Sequence, residues 1–178
     1  MVTILQKEEK ALRKVAKSVL IQDIGSPRIK KILADMKTAM HREDDAVAIA
    51  APQIGMPLRI FIVSGKIFLT QKESTAESKE KDELPPDLVC INPKLLKCSR
   101  TKKWVEEGCL SVRWLYGEVE RTEKATIQAY NEHGVQFTRG ASGILAQVFQ
   151  HEIEHLDGKL FIDKARNIKE MLPEKSTK

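Results

Sequence analysis

The segment Gln150-His151-Glu152-Ile153-Glu154-His155-Leu156-Asp157-Gly158 carries an H-E-x-x-H pattern, with His151 and His155 four residues apart. On a helix, residues i and i+4 share a face, so both imidazoles reach one ion. Glu152 follows the first histidine directly and stands beside the ion, where its carboxylate can take a proton from water. That arrangement suits metal-assisted hydrolysis. Ile144, Leu145, Val148, Phe149 and Leu156 recur at helical spacing, so an apolar face adjoins the metal face. Gly158 sits where a left-handed residue ends a helix. A bare amphipathic helix would share the stripe, but it gives no reason for two of the four histidines to lie one turn apart.

Two histidines leave such a site one protein ligand short, since catalytic zinc or iron sites use three plus water. One protease pattern, H-E-x-x-H-x-x-G-x-x-H, is followed as far as Gly158, but Phe161 stands where its third histidine would be. Another pattern places a glutamate downstream, where Glu170 and Glu174 lie on either side of Pro173 in a charged tail. The better candidate lies upstream. Glu106-Glu107-Gly108-Cys109-Leu110-Ser111 offers a thiolate after a glycine, the residue that lets backbone approach a site closely. Thiolate softness suits iron or zinc over magnesium.

At these residues the chain resembles the peptide deformylase family. Glu107-Gly108-Cys109-Leu110-Ser111 matches that family's E-G-C-L-S motif. Gln150 to Gly158 matches Q-H-E-x-D-H-x-x-G, with Glu154 in place of the Asp. Ala46-Val47-Ala48-Ile49-Ala50-Ala51-Pro52-Gln53 is similar to G-x-G-L-A-A-P-Q. The three motifs occur in family order, and the likeness runs from about Leu12 to about Asp163.

The resemblance implies the family's α+β fold, a central H-E-x-x-H helix among small antiparallel sheets with one further main helix. It implies one divalent ion held by Cys109, His151 and His155, with Fe(II) physiological and zinc, nickel or cobalt able to replace it. The implied substrate is a formyl-methionyl nascent peptide and the implied product is formate. Glu152 is then the base. The Gln53 side-chain amide and the Leu110 backbone N–H are the donors to the negative oxygen. Peptide backbone would lie extended along Ala48. Ile144, Gln147 and Val148 would line the methionine pocket, with Ile49 and Tyr116 bordering the cleft. Glu107 and Arg121 match a supporting ion pair.

The departures from the family pattern are few. Alanines stand at positions 46 and 48 where the family has glycine, which would strain the backbone by about 1 kcal/mol if either φ were positive. Arg113-Trp114 follows the Cys motif where relatives commonly carry proline, which is expected to reshape the rim and make it more basic. Lys10 replaces an N-terminal proline. No ligand, base or amide donor is lost, so an active enzyme is expected, slower or with a shifted preference. Two rivals stand beside it. One is a metal- or ribosome-binding relative without turnover, and the other is a metallopeptidase with a downstream third ligand.

A chain of 178 residues suits one domain, residues 1–178, with no need of disulfides. Three cysteines at irregular spacing fit a reducing compartment, with Cys90 and Cys98 expected to be buried or half-buried. No apolar run reaches the length of a membrane span, and Lys7, Glu8, Glu9 and Lys10 precede any long apolar stretch. A cytoplasmic monomer is therefore expected, without membrane or DNA partners. The net charge is +5, and the first forty residues, with nine Lys/Arg and four acids, hold all of that excess. A basic N-terminal face of this kind suits an approach to ribosomal RNA near the exit tunnel.

Ser26 and Pro27 predict a helix start, and Ile29, Ile32, Leu33, Met36, Ala39 and Met40 its buried stripe, to about Glu43. A shorter helix or turn is expected within Ile4–Val19. Leu58–Val63 and Leu88–Ile91 read as strands, the second ending at Asn92-Pro93. Ala125–Tyr130 and Val135–Thr138 read as a hairpin turning at Gly134, with His133 exposed at its tip. Residues 70–87, rich in Lys, Glu and Ser, read as a mobile charged surface loop. Phe161-Ile162 is expected to be a short strand, Asp163–Leu172 a weak helix and 173–178 a frayed tail.

Overall fold

The computed structural model describes residues 2–72 and 84–173. Its eight strands are β1 (Ala48–Ala50), β2 (Ile60–Val63), β3 (Leu88–Cys98), β4 (Lys102–Gly108), β5 (Leu115–Thr122), β6 (Lys124–Tyr130), β7 (Gln136–Ser142) and β8 (Arg166–Glu170). They form an antiparallel five-stranded sheet, in the order β1-β2-β3-β6-β7, and a three-stranded sheet, β4-β5-β8. Three helices accompany them: α1 (Pro27–His41), α2 (Lys66–Lys72) and α3 (Gly143–Leu156).

The apolar run of β2 is continuous because both of its faces are covered. Ile60 and Ile62 pack with Ile29, Ile32, Leu33, Met36 and Met40 of α1. Phe61 and Val63 point the other way, onto Leu145, Val148, Phe149 and Ile153 of α3. Each such buried side chain contributes about 1.5–3 kcal/mol. β1 follows the same alternation, with Ile49 on the α1 side and Ala48 and Ala50 on the α3 side. The predicted α1 is observed. The Ile29 N–H donates to Ser26 Oγ at 3.3 Å and Pro27 opens the first turn.

The H-E-x-x-H helix lies against β1, β2, β3, β6 and β7 of the larger sheet and touches β5 of the smaller. Its C-terminal end is closed by the N-terminal segment. The Ala16 N–H donates to the Leu156 carbonyl at 2.8 Å, and Arg59 reaches the same carbonyl and Asp157. Gly158 has φ +72°, and a β-carbon there would lie 2.7 Å from the Arg13 carbonyl oxygen. Gly158→Ala is therefore expected to cost more than about 1 kcal/mol. It would appear as a lower urea midpoint at unchanged slope, and an unmoved midpoint would contradict the close approach.

Several local expectations are corrected. Asp163–Leu172 is not a helix: Arg166–Glu170 is β8, paired with β5, and Phe161–Asp163 is a 3-10 turn instead of a strand. β3 does not stop at Asn92-Pro93. It continues to Cys98 because Asn92, at φ +51°, lets the pairing with β6 resume after a register shift. The expected loop begins later than residue 70, since α2 runs to Lys72, and its residues 73–83 lie outside the described ones. The short helix or turn expected within Ile4–Val19 is present as a 3-10 turn at Lys10–Arg13. Cys98 is exposed, while Cys90 is buried. The hairpin of β6 and β7 turns at Gly134, φ +76°, with His133 exposed.

Candidate active site

α3 presents His151, Glu152 and His155, and the turn after β4 brings Cys109 to them. One ligand atom from each of Cys109, His151 and His155 lies within 4.8 Å of the others. His155 Nε2 is 3.2 Å from Cys109 Sγ. His151 Nδ1 is 2.9 Å from Glu107 Oε2, so Nδ1–H donates to that carboxylate and Nε2 is left for the cluster. The donor set of one thiolate and two imidazoles fits a borderline-soft divalent ion such as iron or zinc. Phe161 is buried with its ring stacked on His151 at 6.3 Å. Glu170 is exposed in β8, opposite Leu115, and Glu174 lies outside the described residues.

A buried ion network stands behind the cluster. Arg121 donates to both Glu107 oxygens at 2.6 and 2.8 Å, and both side chains are only 2% exposed. Arg121 also pairs with Glu154 Oε1 at 2.8 Å, and Lys164 reaches the same oxygen from the surface. The longer side chain at 154 thus joins the network. Burial opposes ionisation of Glu107, but the hydrogen bonds from Arg121 and His151 hold its carboxyl down at about 2. Burial also opposes charge on His151, yet contacts with Cys109 and Glu107 raise it well above the usual histidine value. Desolvation, then the neighbouring His151, drives His155 well below it. Burial pushes Glu152 up to about 7.

The cluster opens on a cleft of about 290 Å³. Glu152 and His151 line it, with Gln53 and Leu110 at one side and Ile144, Gln147 and Val148 from α3 at another. Gln53 is oriented from both ends: Oε1 accepts the Ala50 N–H at 2.8 Å, and Nε2 donates to Ser111 Oγ at 3.1 Å. Ala48 and Tyr116 also line the cleft. Ile49 does not. It is fully buried in the α1 core because the two-residue period of β1 turns it away from Ala48.

Neither Ala46 nor Ala48 is among the described residues with positive φ, so no strain arises there. Ala46 packs in the α1 core and Ala48 in the α3 core, and both line the cleft. Nor is the rim more basic at Arg113. Its guanidinium is held by Asp45 at 2.6 and 3.0 Å and by Glu43 at 2.9 Å, and it lies over the Trp114 ring. Asp45, Trp114 and Glu106 also line the cleft. Sequence pattern gave no sign of Asp45 or Glu43, since charged residues before a strand carry no motif.

A profile of the polypeptide deformylase family matches residues 1–171. Peptide deformylase 1A, chloroplastic, of Solanum lycopersicum is 36% identical over 162 residues, 90% of this chain and 58% of the plant protein. This chain thus spans little more than half the length of that relative. The peptide deformylase of Desulforudis audaxviator is 36% identical over 165 residues, 93% of this chain and 89% of that protein. The crystal structure of the peptide deformylase from Thermotoga maritima aligns with a TM-score of 0.77 at 30% identity, covering 93% of this chain and 98% of that one. Sequence, fold and the gathering of Cys109, His151 and His155 agree, and the chain belongs to the polypeptide deformylase family.

Proposed function

We propose that this chain is a metal-dependent hydrolase that removes the formyl group from formyl-methionyl nascent peptides and releases formate. The observation that carries the reading is the convergence of Cys109, His151 and His155 beside a buried Glu152 at the floor of an open cleft. Cys109, His151 and His155 would hold a divalent ion, Fe(II) in the cell with zinc, nickel or cobalt able to take its place, and the bound ion would supply Lewis acidity.

The chain's own residues do the rest. Glu152 takes the proton of the attacking water and passes it to the departing amine. As charge grows on the formyl oxygen, the Gln53 amide and the Leu110 N–H donate to it. Gln53 is suited to this because Ser111 takes one of its two N–H groups and Ala50 fixes its oxygen, which holds the other N–H beside Cys109 Sγ, from where it turns to the formyl oxygen when substrate arrives. Ile144, Gln147 and Val148 hold the methionine side chain, while Ala48 and Tyr116 flank the peptide. Gln147 is oriented by donating to the Glu106 carbonyl at 2.9 Å. Glu107 and Arg121 support the Cys109 turn and His151.

No helix among the described residues is long and apolar enough to cross a membrane. The same reading has the protein act as a cytoplasmic monomer on chains leaving the ribosome. Its basic N-terminal face supports this: Lys10, Lys14 and Lys17 are exposed and unpaired among the described residues, although Asp163 takes up Arg13.

The test is formate release from formyl-Met-Ala-Ser by protein loaded with iron under anaerobic conditions. Formate at one per peptide is expected. No release from protein that holds one equivalent of iron would overturn the proposal. Gln53→Ala should lower kcat by about a hundred- to a thousand-fold with little change in metal content. A loss below tenfold would remove Gln53 from this role.

A further inference from the structure

The Cys109 sulfur receives hydrogen bonds from the Ser111 N–H at 3.4 Å and from Gln53 Nε2 at 3.6 Å. The peptide group that carries the Ser111 N–H also carries the Leu110 carbonyl. That carbonyl is held from the far side by Gln6 Nε2 at 3.0 Å. The Arg113 N–H donates to the other end of the same side chain, Gln6 Oε1, at 3.4 Å. Gln6 therefore spans the turn from Leu110 to Arg113 with both ends of its amide. Its neighbour Leu5 donates its N–H to the Gln53 carbonyl at 2.8 Å. Leu5 also packs in the apolar cluster that includes Cys109 and Val112. Two adjacent residues thus fix the backbone of both groups that donate to the thiolate, although neither lines the cleft.

A peptide group is planar, so fixing its carbonyl fixes the N–H on its opposite edge. Hydrogen bonds in series also polarise one another. A donor aimed at a ligating sulfur withdraws charge from it, and partners behind a metal ligand tune both affinity and electronics. Resting on the metal-site reading above, we infer that Gln6 is a positioning residue. It aims the Ser111 N–H at Cys109 and so sets how much charge the thiolate gives the ion.

Cobalt(II) is the probe, because a thiolate-to-cobalt charge-transfer band reports on the sulfur itself. The full chain and its Gln6→Ala, Gln6→Glu and Lys7→Ala variants are compared by absorption spectrum, by cobalt affinity against a chelator and by thermal melting. Gln6→Glu keeps the size of the side chain and its acceptor for Arg113 but removes the donor to Leu110, so it carries the test if Gln6→Ala does not fold. Both Gln6 variants are expected to move the band to longer wavelength and to bind cobalt about tenfold more weakly. Lys7→Ala is expected to match the parent. An unchanged band and affinity in Gln6→Glu, whatever its melting temperature, overturns the inference. Absence of any thiolate band in the parent protein would instead remove Cys109 as a ligand, and the inference with it.

Discussion

Glu152→Ala should lower formate release by about two to four orders of magnitude while the protein keeps its fold and one equivalent of metal. The expectation rests on position and surroundings together. Glu152 sits between the two histidines in sequence, yet on α3 its side chain is turned to the cleft, where only 4% of the residue is exposed. Its Oε2 is buried without a hydrogen-bond partner among the described residues. Burial pushes its carboxyl up to about 7. A carboxylate so placed accepts a proton readily near neutral pH and returns it as readily, as a shuttling base must. Glu152→Asp keeps the charge but withdraws it by one methylene, so its loss should be smaller than that of Glu152→Ala. The readouts are kcat, metal content and far-ultraviolet circular dichroism on the same preparations. More than a tenth of parental kcat in Glu152→Ala would sink the assignment.

Cys109→Ala should strip the metal and, with it, the activity. Three ligands share a binding free energy on the order of 10 kcal/mol in sites of this type. Removing one therefore costs roughly two to three orders of magnitude in affinity. The loss should be visible as metal-free protein after dialysis at micromolar concentration. Cys98→Ser is the matched control, because Cys98 is exposed at the end of β3, outside the cleft. Metal retained by Cys109→Ala would mean that the third ligand lies elsewhere and would favour a peptidase-type site. The structure argues against that, since Phe161 stacks on His151 and Glu170 is exposed in β8.

The parts of the fold legible in the sequence are those whose order is local. α1 and α3 announce themselves through stripes of buried residues, the Ser26 cap and the left-handed Gly158, and the β6–β7 hairpin through alternation on both sides of Gly134. β4 and β8 carry no such sign. In β4 only Glu107 is buried, and every residue of β8 is exposed. Both are strands because β5 pairs with them, a fact that no local pattern contains. The site follows the same division. His151, Glu152 and His155 lie on one helix and Cys109 in a recognisable motif, so all four were readable. Ile49 was misplaced because proximity in sequence to Ala48 says nothing about the face it takes. The charge balance at Arg113 depends on Glu43 and Asp45, some 70 and 68 residues upstream. Gln6 is joined to the Leu110 carbonyl across 104 residues, and a lone glutamine in a charged segment has no motif to mark it.

The tethering of the N-terminal segment to Gln53, Leu110 and Leu156 also governs when the protein can begin to work. The residues of this segment are made before all of these partners, and the last of them, Leu156, follows Ala16 by 140 residues. Contacts so distant in sequence form late, because the intervening chain must first be ordered. During synthesis this segment waits for its partners, and the Cys109 cluster has no second histidine until His155 has emerged. A nascent copy therefore carries Cys109 through 46 further residues of synthesis before the metal site can close. Assembly of that site waits for α3, although the segment that braces it was made long before.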